Sequence, residues 1–386
     1  MREGVTRVRR SASRDEVVRA LRRHGALSRP ALSVHTGLSR ATVAGVIGEL
    51  IDDGTVVELT AEPDGRAGRP AAVVRLGRQA GAVVGVDIDR QHVRVAVADL
   101  GHQILAERVA PADAEARDPE HGLATAELLI DEVLADADVG RAEVQAVGVG
   151  IPGPVTATGE LGSSTILPGW SGVRAEQRIG ERLGLPVLVD NDANLGALGE
   201  WTAGAARSRA NCAYIKASAG VGCGLILGGA PFRGAGGTAG ELGHTIVDPS
   251  GAICRCGNRG CLETIVGTGA LLALLEPAYG PLTLAEAIDR ALAGDPACGR
   301  AIADAGAAIG AAAANLCNLI NPELVVVGGD LAPAGELLLR PLREALRGAA
   351  IKSAGVDAEV VGGTLGDRAE LLGAVALALH ALPADR

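Results

Sequence analysis

Three cysteines fall within one short glycine-containing loop, Cys254-x-Cys256-x4-Cys261, and His244 stands ten residues upstream. This restricts the chain more tightly than any other segment. Three thiolates and one imidazole make a closed tetrahedral set, and a short irregular loop takes its order from such a metal. His244, Cys254, Cys256 and Cys261 are therefore expected to hold a structural Zn2+. A disulfide fits poorly, because nothing in the chain points to an oxidising compartment. A loop of free thiols is the alternative. Cys212, Cys223, Cys298 and Cys317 lie in apolar surroundings and read as core residues.

A chain of 386 residues suggests two or three domains, and 48% hydrophobic residues can fill a large core. No stretch of about 18 uninterrupted apolar residues marks a membrane span. Met1 to Arg10 is basic, but no apolar run follows it, so a cytoplasmic protein is expected. Lysine is scarce: only Lys216 and Lys352 occur. The net charge of −10 is unevenly spread. Residues 1–78 hold 14 Arg against 9 Asp or Glu (+5), and the remainder holds 22 basic against 37 acidic residues (−15). A basic end on an acidic body is the asymmetry of a chain that meets nucleic acid at one end, and basic tails share it.

The pattern of the basic end is more specific than its charge. Arg14 to His24 reads as a helix with Val17, Val18, Ala20 and Leu21 on its apolar side. Ser28 can cap a second helix, Arg29 to Thr36, with Pro30 near its start where a missing N–H is tolerated. Gly37-Leu38 makes a sharp turn, and Ser39 caps a third helix, Arg40 to Asp53, with Val43, Val46, Ile47, Leu50 and Ile51 at helical spacing. Two short helices joined by a tight Gly turn form a helix-turn-helix whose second member enters the major groove. Ser39, Arg40 and Thr42 fall in its first turn, where bases and phosphates are reached. Strands at Thr55 to Glu58 and Ala71 to Leu76 would make the domain winged. Arg66 and Arg69, flanked by Gly and Pro between those strands, suit a narrow minor groove. An ordinary three-helix bundle and a solvated hairpin tip are the plainer alternatives.

From Gln79 the patterning changes. Buried-type strands are expected at Ala82 to Ile88, His92 to Asp99, Ile104 to Val109, Val144 to Gly150 and Val187 to Asp190. Others follow at Ala213 to Lys216, Gly224 to Leu227 and Leu324 to Val327, with helices at 120–138, Pro296 to Leu319 and Gly366 to Leu382. Strands leading into helices, twice over, suggest two α/β lobes with a cleft between them.

Within that body, Asn191-Asp192-Ala193-Asn194, Ala197-Leu198-Gly199-Glu200, Gly240-Glu241-Leu242-Gly243-His244 and the stretch Cys254 to Glu263 resemble the sugar-kinase signature of the ROK family (repressors, open reading frames and kinases). Gly150-Ile151-Pro152-Gly153-Pro154, Leu167-Pro168-Gly169-Trp170 and Val327-Gly328-Gly329 fit the same family. The resemblance covers about residues 79–386. The added N-terminal domain gives the arrangement of the family's xylose and N-acetylglucosamine repressors. It implies an α/β fold: a winged helix-turn-helix at 1–78, then a two-lobed actin-like, sugar-kinase-like body. One lobe would be 79–190 plus 371–386 and the other 191–370.

The resemblance places Asn191, Asp192, Glu241, His244 and Glu263 around a sugar, with His244 turning its second ring nitrogen to the ligand while binding zinc. Asp192 matches the catalytic base of the family's kinases. The phosphate cradle departs from the pattern. Where kinases have Asp-x-Gly-Gly-Thr-Lys, this chain has Asp87-Ile88-Asp89-Arg90-Gln91-His92, without the glycines that let backbone N–H groups approach phosphate. Where they have Gly-Thr-Gly-x-Gly, it has Ser218-Ala219-Gly220-Val221-Gly222. The expectation is a sugar-responsive regulator, with Asp192 a vestigial base. Its partners would be operator DNA and a sugar or sugar-phosphate effector, with no membrane partner. It would act as a homodimer or homotetramer, nucleoid-associated when bound to its operator. A sugar kinase with an accessory DNA-binding domain is the alternative.

Overall fold

Local capping decides how the N-terminal residues fold. Helix α1 spans Arg2–His24, beginning twelve residues before the expected Arg14. Helix α2 (Arg29–Thr36) starts where the Ser28 hydroxyl accepts from the Ala31 N–H at 3.3 Å, and it stops at Gly37 in the left-handed region, φ 69°. Helix α3 (Arg40–Asp52) is capped by Ser39, whose hydroxyl accepts from the Thr42 N–H at 3.2 Å. Val17 and Leu21 of α1, Leu32 of α2, and Val43, Ile47 and Leu50 of α3 are fully buried together. Strands β1 (Leu27–Ser28), β2 (Val56–Leu59) and β3 (Val73–Leu76) form an antiparallel sheet in the order β1-β3-β2. Strand β1 was not expected from sequence. This computed structural model describes residues 2–59, 72–112, 119–162, 173–352 and 358–382. Arg66, Arg69 and the Leu167–Trp170 motif lie outside them.

The body contains the same sheet twice. Strands β4 (Ala82–Ile88), β5 (His92–Asp99), β6 (Ile104–Pro111), β7 (Val144–Ile151) and β8 (Val187–Asn191) run in the order β6-β5-β4-β7-β8. Strands β9 (Cys212–Ala217), β10 (Val221–Leu227), β11 (Ala230–Pro231), β12 (Leu324–Gly328) and β13 (Glu359–Gly362) run β11-β10-β9-β12-β13. In each sheet the first three strands form an antiparallel meander, and the last two lie parallel to the first. The central strands are buried throughout, as their mainly apolar runs require, and Asp87 of β4 and Lys216 of β9 are the charged residues they carry.

Helices α4 (Pro119–Ala137) and α5 (Ala175–Leu183) cover the first sheet. Helix α6 (Asp192–Thr202) lies on the second sheet, against β9 and β10. The second lobe is completed by α7 (Glu263–Val266), α8 (Thr268–Tyr279), α9 (Leu284–Leu292), α10 (Pro296–Ile320) and α11 (Glu336–Ala349). By length and composition α10 is apolar enough to cross a membrane, but Ile302, Ile309 and Cys317 bury it in the core of this lobe. Helix α12 (Ala369–Ala381), preceded by a 3-10 turn at Gly366–Arg368, returns to the first sheet. There a Cβ at Gly148 of β7 would lie only 2.0 Å from the Ala374 carbonyl, so glycine is what lets α12 sit this close.

The layers are therefore sheet, α12, α6, sheet. The N-terminal core is continuous with this body: Val17, Leu32 and Val74 belong to one apolar cluster with Ala98, Leu100, Val375 and Leu379.

Candidate functional site

A cleft opens between the sheets, at the start of α6. Asn191, Asp192, Glu241, His244 and Glu263 all line it, so the structure brings the five residues named from sequence to one place. Buried Asp190 sets the chain's path into it. Its carboxylate accepts from the Asn191 N–H and Asn194 Nδ2, each at 2.8 Å, and pairs with Arg233. The Asn191 side-chain oxygen caps α6, accepting from the Ala193 and Asn194 N–H groups at 2.9 and 3.3 Å. Its Nδ2 donates to the Gly153 carbonyl at 3.0 Å, which ties the Gly150–Pro154 turn to the helix. Asn191 thus shapes the cleft as well as lining it.

Asp192 is held by a residue that sequence reasoning passed over. Lys216 projects from the end of β9 and is buried. Its Nζ lies 3.0 Å from Asp192 Oδ2, 3.5 Å from Asp89 Oδ2 and 3.6 Å from Glu370 Oε1. Burial alone would drive the ammonium to lose its proton. The surrounding carboxylates of Asp192, Glu370, Asp89 and Asp87 outweigh burial and hold its pKa well above the ordinary value. For Asp192 burial wins and raises the carboxyl despite Lys216, while Glu370 is pushed up to about 7 by burial. For Asp89 the Lys216 and His92 charges overcome burial and hold the carboxyl low. Asp89 thus does more than stand where the sequence lacks a phosphate-loop glycine. It is paired with a cation from the other lobe.

The same loop makes a second crossing, from Gln91 Nε2 to Asp330 Oδ2 at 3.4 Å, while the Asp330 N–H donates to the Ser218 hydroxyl at 2.9 Å. Asp87, buried behind the loop, pairs with His92 Nε2 at 3.2 Å. The only sequence signal for Lys216 was rarity, as one of two lysines. Asp330 follows the Gly328-Gly329 turn and carried no signal of its own.

The cysteine loop forms the far wall. Ligand atoms of His244, Cys254, Cys256 and Cys261 lie within 4.8 Å of one another and can hold a metal ion. His244 Nδ1 is 3.6 Å from Cys254 Sγ, and Cys256 Sγ is 3.7 Å from Cys261 Sγ. A tetrahedron with bonds of about 2.0 Å to nitrogen and about 2.3 Å to sulfur has edges of about 3.5–3.8 Å, so these spacings fit a metal. The other ring nitrogen, Nε2, faces Glu241 Oε2 at 3.8 Å. Glu263 is buried, accepts from the Val221 N–H at 3.2 Å and pairs with Arg255. The ion pair ties the cysteine loop to the start of α7, and the Val221 hydrogen bond joins both to the β9–β10 turn. Ser39, Arg40 and Thr42 lie far off, exposed in the first turn of α3.

Residues 83–381 match the ROK family. The chain belongs to the ROK family. It is 30% identical over 369 residues to a xylose repressor of Caldicellulosiruptor bescii, covering 92% of each chain. It is 32% identical over 260 residues to a glucokinase of Halalkalibacterium halodurans, a match covering 63% of this chain and 79% of the glucokinase. Among solved structures it resembles a ROK family transcriptional regulator, a homologue of the Escherichia coli MLC protein. That match has a TM-score of 0.75 at 26% identity and covers 96% of both chains. The similarity to repressors thus includes the N-terminal domain, which lies outside residues 83–381 matched to the family.

Proposed function

We propose that this ROK protein is a sugar-responsive transcriptional repressor whose cleft senses a sugar without phosphorylating it. One observation carries the reading. Where a phosphate cradle needs converging backbone N–H groups, the β4–β5 turn presents the Asp89 carboxylate, already paired with Lys216. Phosphoryl transfer depends on positioning and charge neutralisation, so a carboxylate in that seat opposes it. On the sugar side, Asn191, Asp192, Glu241, His244 and Glu263 line one cleft with polar groups suited to hydroxyls. The His244, Cys254, Cys256 and Cys261 set is a structural zinc site that holds Glu241 and Glu263 in place.

Residues 1–78 act as a winged helix-turn-helix that docks α3 in the major groove. Arg40, Ala41, Thr42, Ala44 and Gly45 are exposed along that helix; the four small residues allow close approach to DNA, and Arg40 supplies a cation. Arg66 and Arg69 reach the minor groove. Residues 79–190 with 371–386, and 191–370, are the two lobes whose relative angle reports the sugar. Two copies read a palindromic operator with half-sites about 34–36 Å apart per helical turn. Its place of action is the cytoplasm, where its DNA is.

The retained Asp192 and the Gly328-Gly329 turn favour a second reading, an ATP-dependent sugar kinase with an accessory DNA-binding domain. A coupled assay with ATP and a panel of hexoses, aminosugars and pentoses separates the two. The repressor reading expects no turnover, and turnover that Asp192→Asn abolishes would exclude it.

A further inference from the structure

The residues that replace the phosphate-loop glycines do more than block phosphate. Asp89 and Gln91 both belong to the first lobe, and both reach second-lobe partners, Lys216 and Asp330. Lys216 also touches the first residue of α6 through Asp192 and the start of α12 through Glu370. It therefore contacts both lobes and both helices packed between them. The Tyr214 hydroxyl, one turn of the strand pleat away on β9, donates to Glu370 Oε1 at 3.1 Å, which fixes that carboxylate beside the ammonium. Each partner of Lys216 is an anion. His92, paired with Asp87 behind the loop, adds to the charge that Asp89 feels but belongs to the first lobe and makes no crossing. In a kinase the charges that join the lobes here belong to nucleotide and metal. This chain carries its own.

We infer that Lys216 is a positioning residue: an internal cation that joins the lobes in place of a nucleotide, orients Asp192 toward an uncharged sugar, and couples sugar binding to lobe movement. This rests on the sugar-sensing reading above. Asp192 has two oxygens with separate duties. Oδ2 holds Lys216, while Oδ1 accepts from the Ala193 N–H at 2.9 Å and keeps a lone pair for a hydroxyl. A sugar hydroxyl that donates to Asp192 draws on the charge that holds Lys216, and through it on Asp89 across the cleft.

The same arrangement sets the ligand class. Lys216 is saturated by three carboxylates and Arg255 is committed to Glu263. Arg90 is exposed at the rim beside Asp89. Asp89, Asp192, Glu241, Glu263 and Asp330 make the interior acidic, which disfavours a phosphorylated ligand.

The test uses the full chain carrying Asp89→Asn, Lys216→Met or both. In the absence of sugar, hydrogen exchange of residues 214–218 should rise by about tenfold in Asp89→Asn, although the substitution lies in the other lobe. Exchange unchanged in Asp89→Asn overturns the bridge, and this arm needs no ligand and no folded Lys216→Met variant. The double variant should match the more affected single, because the two residues act as one pair, and additive effects also overturn it. With a sugar found by calorimetry, the sugar-induced change in operator affinity should shrink by about tenfold in Asp89→Asn. A full response in that variant overturns the coupling. Tighter binding of the corresponding sugar phosphate by the wild-type chain overturns the uncharged class. Failure of every sugar in the panel sinks the sugar-sensing reading, while the exchange result still decides the bridge.

Discussion

Replacing Gly373 by Ala should force the two central helices apart and disturb the cleft from behind. Gly373 of α12 packs directly on α6, where an added Cβ would stand 1.8 Å from the Leu195 carbonyl oxygen. Cβ contacts under 3.0 Å essentially do not occur, so the helices must separate by at least about 1.2 Å. The atom in the way is backbone, so no side-chain rotation relieves the contact. Overpacking of this kind costs about 1–3 kcal/mol, occasionally more, while alanine returns up to about 1 kcal/mol of helix propensity. The expected net loss is about 1–2 kcal/mol, a drop of about 1.5–3 °C in melting temperature for a body of this size. Leu195 lies three residues after Asp192, so the displacement should also weaken sugar binding. Thermal denaturation and calorimetry measure the two effects. Gly299→Ala is the control: it lies in the first turn of α10 with nothing within 4 Å of its Cβ, and it should be neutral or stabilising. A Gly373→Ala protein as stable as the control, with unchanged sugar affinity, would refute the packing account.

Cys256→Ser should release the metal, read by elemental analysis, and lower sugar affinity with it; full metal content would remove Cys256 from the ligand set. Arg40→Ala should weaken operator binding and leave sugar binding intact, while Ser39→Ala should cost about 1 kcal/mol of cap stability in addition. Undiminished operator affinity in both would exclude the first turn of α3 from the DNA interface. Acid should loosen the junction between α1 and α12. Burial lowers the pKa of His380 to about 4, and it also lowers those of His24 and His102. A depressed histidine contributes stability that is fully present above the ordinary value near 6.5 and is lost as pH falls toward 4. The loss is up to about 1.4 kcal/mol per pH unit for one such group. His380→Phe should flatten the denaturation midpoint over that window, and an unchanged slope would show that His380 is not responsible.

Periodicity and capping made much of the fold legible. Ser28, Gly37 and Ser39 marked α2 and α3 to within a residue, and the apolar runs of β4, β5 and β7 stood out because both faces of those strands are buried. The start of α1 was not legible, since Arg2 to Ser13 carries no continuous apolar stripe. The duplicated strand order was hidden as well. Strand β11 is two residues long, and β12 lies almost a hundred residues beyond it. At the site, motif spacing found the cysteine cluster and the groups around Asp192. It did not find Lys216, whose partners Asp89 and Glu370 are brought to it only by the packing of two lobes. Nor did it show that Asn191 spends its side-chain oxygen capping α6. Such roles depend on contacts between distant segments, which local pattern does not encode.

The central claim is that one chain both reads DNA and senses a sugar without phosphorylating it. Fluorescence anisotropy of the full chain on a DNA site selected from a random pool, titrated with the sugar panel in the presence of ATP and magnesium, tests it most directly. The account predicts a palindromic site whose affinity changes by about tenfold or more with one sugar, with no ADP formed. Sugar-dependent ADP production, with DNA affinity indifferent to every sugar, would contradict it.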